Sequence, residues 1–152
     1  MSQDQQPRPT NRRPKVASMA AMVADGLSAR EDLNCAETML YAADRAYNLG
    51  LPKEALKLAA GFGGGMGVEG VCGVLTGGSM VFSAMFVEER GHESDRVSRL
   101  NQEFVSKMKS VLGDVRCSHI KPGWRTPEAG CKSVTVEAAK LIEEIIDREL
   151  QS

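Results

Sequence analysis

"GFGGGMGVEGVCGVLTGGSMVFSAMFVEER", residues 61–90, sets a glycine-rich loop against a long apolar run, with Cys72 near the junction. The glycines invite a phosphate-loop reading, but no Gly-Lys-Ser/Thr ending follows and no strand pattern precedes them. Phosphate and dinucleotide loops need that context. The stretch from Cys72 to Arg90 reads instead as a buried helix, packed through Leu75, Val81, Phe82, Met85 and Phe86. Gly73 and Gly77 are four apart and share one face, where a neighbouring backbone could approach closely.

Working outward, apolar residues recur at helical spacing almost everywhere else. A first helix is expected over Val16–Leu27, with Met19, Met22, Val23 and Leu27 on one side. "NCAE" at 34–37 places Asn34 as N-cap and Glu37 three residues on, the arrangement of a capping box. That makes Cys35 the first residue of a helix that stops at Gly50. Pro52 opens a third helix ending at Gly61. Ser94 is expected to cap a fifth that ends at Gly113, and Ser133 a last one through Val134, Ala138, Leu141, Ile142 and Ile145. Residues 114–132 hold two prolines and two glycines and read as an irregular connection. With no alternating strand pattern and no repeat, the fold expected is all-α, a single compact bundle of about six helices around a glycine-rich loop.

Composition agrees: 42% hydrophobic and 26% charged residues are ordinary for a globular domain, while 5% aromatic is low and favours close packing through small side chains. The first sixteen residues, "MSQDQQPRPTNRRPKV", carry four basic residues against one acid and have little to bury, so 1–16 is expected to be a disordered basic tail ahead of a helical domain at 17–152. Since the whole chain has net charge −1, that domain is acidic and offers no general footprint for nucleic acid. No run reaches the ~18 apolar residues that span a membrane. Arg12 and Arg13 precede a stretch too polar for an export signal, so a cytoplasmic location, where thiols are kept reduced, is expected.

The candidate chemistry lies in Cys35, Cys72, Cys117 and Cys131, spaced too widely for a Cys-x-x-Cys motif. Cys35 and Cys72 are expected at helix starts, Cys131 just before one, and Cys117 in a turn. A helix N-terminus favours an anion, so these thiols are expected to tend toward the reactive thiolate. Gly63, Gly64, Gly65 and Gly73 would supply backbone donors and room for a group bound beside Cys72. His119, two residues after Cys117, could form half of a zinc site but reads more simply as polar surface. Glu143, Glu144 and Asp147 look like solvent-facing helix charges.

Taken together, "NCAE" at 34–37, "GFGGGMG" at 61–67, "CGVLTG" at 72–77 and the single cysteines 117 and 131 resemble the C_GCAxxG_C_C family, over roughly residues 30–146. Val74 stands where that motif has alanine, and Val71 where it has glycine. The resemblance implies a small helical domain whose four cysteines do redox chemistry with a partner that the sequence does not identify. Thiol–disulfide exchange is the leading reading, with Cys72 attacking and a second cysteine resolving. Four cysteines allow three connectivities; Cys35 with Cys72 and Cys117 with Cys131 is one of them. Two alternatives stand beside it. All four cysteines could ligate an iron–sulfur cluster or metal ion, or the thiols could be incidental to a non-catalytic helical interaction module.

Overall fold

The computed structural model describes residues 15–151. Among them are eight α-helices: α1 (Met19–Ala24), α2 (Leu27–Glu31), α3 (Cys35–Ala46), α4 (Lys53–Leu56), α5 (Gly73–Phe86), α6 (Arg96–Leu112), α7 (Cys117–Trp124) and α8 (Lys132–Gln151). Short 3₁₀ turns cover Lys57–Phe62 and Gly91–Glu93, and a π turn covers Gly65–Glu69. The described residues hold no β-strand, only two isolated antiparallel bridges. The fold is all-α, as expected. No described helix is long and apolar enough to cross a membrane.

Eight helices rather than six follow from two departures. Gly26, in the left-handed region at φ +100°, ends the expected first helix, and α2 follows it over Leu27–Glu31, a stretch not expected to be helical beyond Leu27. The connection expected to be irregular contains α7, which tolerates Pro122 inside it and ends where Arg125 N–H meets the carbonyl of Lys121 at 2.9 Å. α5 also stops early, at Phe86. The backbone N–H groups of Glu88, Glu89 and Arg90 donate to the Glu93 carboxylate at 2.7, 2.7 and 2.9 Å, which satisfies them outside a helix. Ser94 and Ser133 do not cap in the expected way: Asp95 is the N-cap of α6, and Ser133 lies inside α8, with its hydroxyl donating to the carbonyl of Trp124 at 3.3 Å.

α5 is the central helix, apolar nearly all round, with Val74, Leu75, Val81, Phe82, Met85 and Phe86 buried. On one side it meets α3, where Ala36, Ala42, Ala43 and Ala46 are small and buried. The contact is close enough that a Cβ at Gly77 would stand 2.7 Å from the carbonyl oxygen of Ala36. The other side of α5 meets α6, where Phe82 and Phe104 stack edge to face with ring centroids 5.8 Å apart.

α8 closes the bundle against α1, and here the expectation of solvent-facing acids holds for Glu144, which is exposed, and is corrected for Glu143. Glu143 is only 6% exposed. Its carboxylate accepts the N–H groups of Met19 at 2.8 Å and Ala20 at 3.0 Å, at the start of α1, and pairs with Lys15 at 2.8 Å. A buried carboxylate persists there because unpaired helix donors and a cation offset its dehydration. Asp147 likewise accepts from the hydroxyl of buried Tyr47 at 2.7 Å. Residues 1–14 of the expected tail lie outside the described residues; Lys15 and Val16 are anchored, Val16 N–H donating to the carbonyl of Ala46 at 2.7 Å.

Candidate functional site

All four cysteines stand at helix beginnings. Cys35 is the first residue of α3, directly after Asn34, whose side chain accepts from Glu37 N–H at 2.9 Å while the Glu37 carboxylate accepts from Asn34 N–H at 2.9 Å. Cys72 is the N-cap of α5. Cys117 is the first residue of α7 rather than part of a turn, and the carbonyl of Cys131 accepts from Thr135 N–H at 3.1 Å on the way into α8.

Short backbone links bring these beginnings together. Val71 and Arg116 form one of the two antiparallel bridges. Through it Cys72 N–H donates to the carbonyl of Val115 at 2.8 Å, and Cys117 N–H to that of Gly70 at 2.6 Å. The starts of α5 and α7 are thereby tied side by side. From the third direction, the sulfur of Cys35 lies against Gly73, so close that any Cβ there would collide with it. The segment before Cys131 is held by the second bridge, in which Thr126 and Gly130 exchange N–H···O bonds of 3.0 and 2.8 Å.

The result is a cavity of about 410 Å³ with Cys35, Cys117 and Cys131 on its wall. Cys72 does not line it and is 6% exposed. None of the four is joined in a disulfide. A larger, shallower cleft of about 610 Å³ between Phe86 and Arg96 contains no cysteine, so size alone does not locate the thiol chemistry.

The expected thiolates are not what these helix starts produce at Cys72 and Cys117. Burial pushes the Cys72 thiol up to about 12, with the neighbouring cysteines adding to the rise and the N–H of Val74 opposing it. Cys117 is also raised by burial, with the ammonium of Lys121 working against it. Loss of water disfavours the charged sulfur more than the helix N-terminus favours it.

Of the four loop glycines, Gly64 lines the cavity. Gly63 is pressed against the side chain of Asn34, and Gly73 against Cys35. Gly65 sits at φ +60° with the backbone of Gly70 folded over it. Among the described residues no group of three or more His, Cys, Asp or Glu side chains stands close enough to hold a metal ion. His119 hydrogen-bonds through Nδ1 to Asp114 at 2.8 Å, is half exposed, and does not line the cavity.

Sequence reading missed the basic residues of this wall. Lys121, Arg125 and Lys132 line the cavity, and the Arg125 guanidinium reaches toward the sulfur of Cys131 at 4.0 Å. The signal was present in Lys121 and Arg125 being four apart and following Cys117 by four and eight residues, a helical spacing concealed by Pro122 and Gly123. Searches of curated proteins and of solved structures found no match to this chain. A family model does match, over residues 33–145, which takes in all four cysteines and the glycine loop. The chain therefore belongs to the family described as "Putative redox-active protein (C_GCAxxG_C_C)".

Proposed function

We propose that this protein carries out thiol–disulfide exchange, using two cysteine pairs: Cys117 with Cys131, and Cys35 with Cys72. The observation that supports it most is the gathering of three cysteines from three helix starts on one cavity, with the fourth buried beside it. Two placements support this pairing: the sulfur of Cys35 lies against Gly73, the residue after Cys72, and Cys117 and Cys131 share the cavity wall.

Cys131, half buried and beside the Arg125 guanidinium, is the first sulfur to react. Its thiolate attacks one sulfur of an incoming disulfide. The departing sulfur takes a proton, and a mixed disulfide remains on Cys131. Cys117 then attacks Cys131, closing a protein disulfide and releasing the second substrate thiol. Two electrons pass from protein to substrate, and the substrate disulfide becomes two thiols. Cys72 is a poor first attacker because so little of it is ionised near neutrality. It serves as the buried partner of Cys35. A reducing, cytoplasmic compartment suits such a store of thiols.

Peptide mapping of the full chain after oxidation with 2-hydroxyethyl disulfide tests the pairing. Peptides joined as Cys117–Cys131 and Cys35–Cys72 are expected. Oxidation that leaves all four as thiols, or joins only different molecules, would contradict the reading.

A further inference from the structure

Positive charge without a carboxylate partner collects at the same cavity. Lys121, Arg125 and Lys132 line it against one carboxylate, Glu128, in a chain of net charge −1. Lys121 is compensated by Glu69 at 3.3 Å. Arg125 and Lys132 have no carboxylate partner among the described residues: Arg125 is directed at the sulfur of Cys131, and Lys132 Nζ donates to the carbonyl of Ala24 at 3.3 Å. Both cations are exposed, on the solvent side of the cavity, while Val23, Ala29 and Leu33 supply apolar wall.

Exposed cations beside a concave, partly apolar site attract anions and raise their rate of arrival. The volume, about 410 Å³, is that of a small-molecule site rather than of a surface for another folded protein. Cys117, 6% exposed, can be reached only by something narrow enough to enter.

We propose that the cavity takes a low-molecular-weight anionic disulfide, with its carboxylates held by Arg125 and Lys132 and its S–S bond against Cys131. This rests on the thiol–disulfide reading above and adds to it the class of oxidant. The Cys131 thiolate bonds to one ligand sulfur as the ligand S–S bond breaks, and half of the ligand leaves as a thiol. Cys117 then displaces the other half, also as a thiol. The protons lost by Cys117 and Cys131 end on the two products, so two protein thiols are oxidised as one ligand disulfide is reduced.

Three small disulfides of similar length separate the inference from the reading beneath it: dithiodipropionate, a dianion; 2-hydroxyethyl disulfide, neutral; and cystamine, a dication. The reduced full-length chain is mixed with each, and loss of thiols at Cys117 and Cys131 is timed. At low salt the dianion is expected to react about tenfold or more faster than the dication, with the advantage shrinking as salt is raised. In the double variant Arg125→Gln, Lys132→Gln, the ratio of dianion to neutral rates should fall severalfold. Should that variant fail to fold, the salt dependence of the unaltered chain still decides. Equal rates, or a faster dication, would overturn the anionic class while leaving thiol exchange in place. Failure of all three probes to oxidise the protein would overturn both.

Discussion

Cys72 shows how two local effects of opposite sign are resolved by burial. Its place at the head of α5 favours a thiolate, and removal from water disfavours one; water removal wins, and the thiol is pushed up to about 12. In timed alkylation at pH 8 with mapping by mass spectrometry, Cys35 and Cys131 are expected to be modified first and Cys72 last. Lys121→Met removes the cation opposing the rise at Cys117, so alkylation of Cys117 at a fixed pH should slow. Stability carries the same sign. The folded state keeps the Cys72 proton above the pH at which an unfolded thiol, starting from 9.0, has lost it, so its contribution is intact below about 9 and disappears as pH rises toward about 12. Buried Tyr47 is shifted in the same direction by burial and by its hydrogen bond to Asp147. Urea unfolding between pH 8 and 11 should therefore show falling stability, with a shallower fall in Cys72→Ala.

At the scale of elements, the glycines of α5 set how near α3 can come. Gly73 receives the sulfur of Cys35, and Gly77 the backbone of Ala36, so a methyl at either place forces the helices apart. Gly73→Ala or Gly77→Ala should cost about 1–3 kcal/mol, the usual range for overpacking. Thermal unfolding measures that loss, and Gly73→Ala should also hasten alkylation of Cys35 and Cys72 by loosening their contact. The first four N–H groups of α1 depend in part on Glu143. Glu143→Leu leaves those donors buried without their acceptor and should cost roughly 1–3 kcal/mol. The apolar periodicity of α3, α6 and α8 was legible in the sequence because each buries a continuous stripe, and α5 was legible because its apolar run is nearly unbroken. α7 was not, because Pro122 and Gly123 are breakers by local preference, and what keeps it helical is tertiary: the bridge at Arg116 and the burial of Cys117 and Ile120. Glu143 was misread for a related reason. An acid at helical spacing looks the same whether it faces water or the start of another helix.

For the molecule as a whole, the fold class and the family's four-cysteine pattern could be read from the chain, since both depend on residue type and order. The meeting of Cys35, Cys117 and Cys131 on one cavity, with Cys72 buried outside its wall, could not, because it depends on the bridge between Val71 and Arg116 and on the approach of α3 to α5. The basic wall stayed hidden for the same reason: Lys121, Arg125 and Lys132 come from α7, the loop after it and the start of α8, and only the fold puts them beside Cys131. The glycine loop is likewise explained at this scale. Gly63 and Gly73 make room for Asn34 and Cys35, so the loop serves largely to press α3 onto the head of α5, where two of the four sulfurs lie.

Purification of the full chain without oxygen, with metal analysis and a count of free thiols before and after a mild oxidant, tests the central claim most directly. The account predicts four titratable thiols, no stoichiometric metal, and thiols lost two at a time. Stoichiometric iron or zinc bound through the cysteines, or four thiols that survive the oxidant, would contradict it.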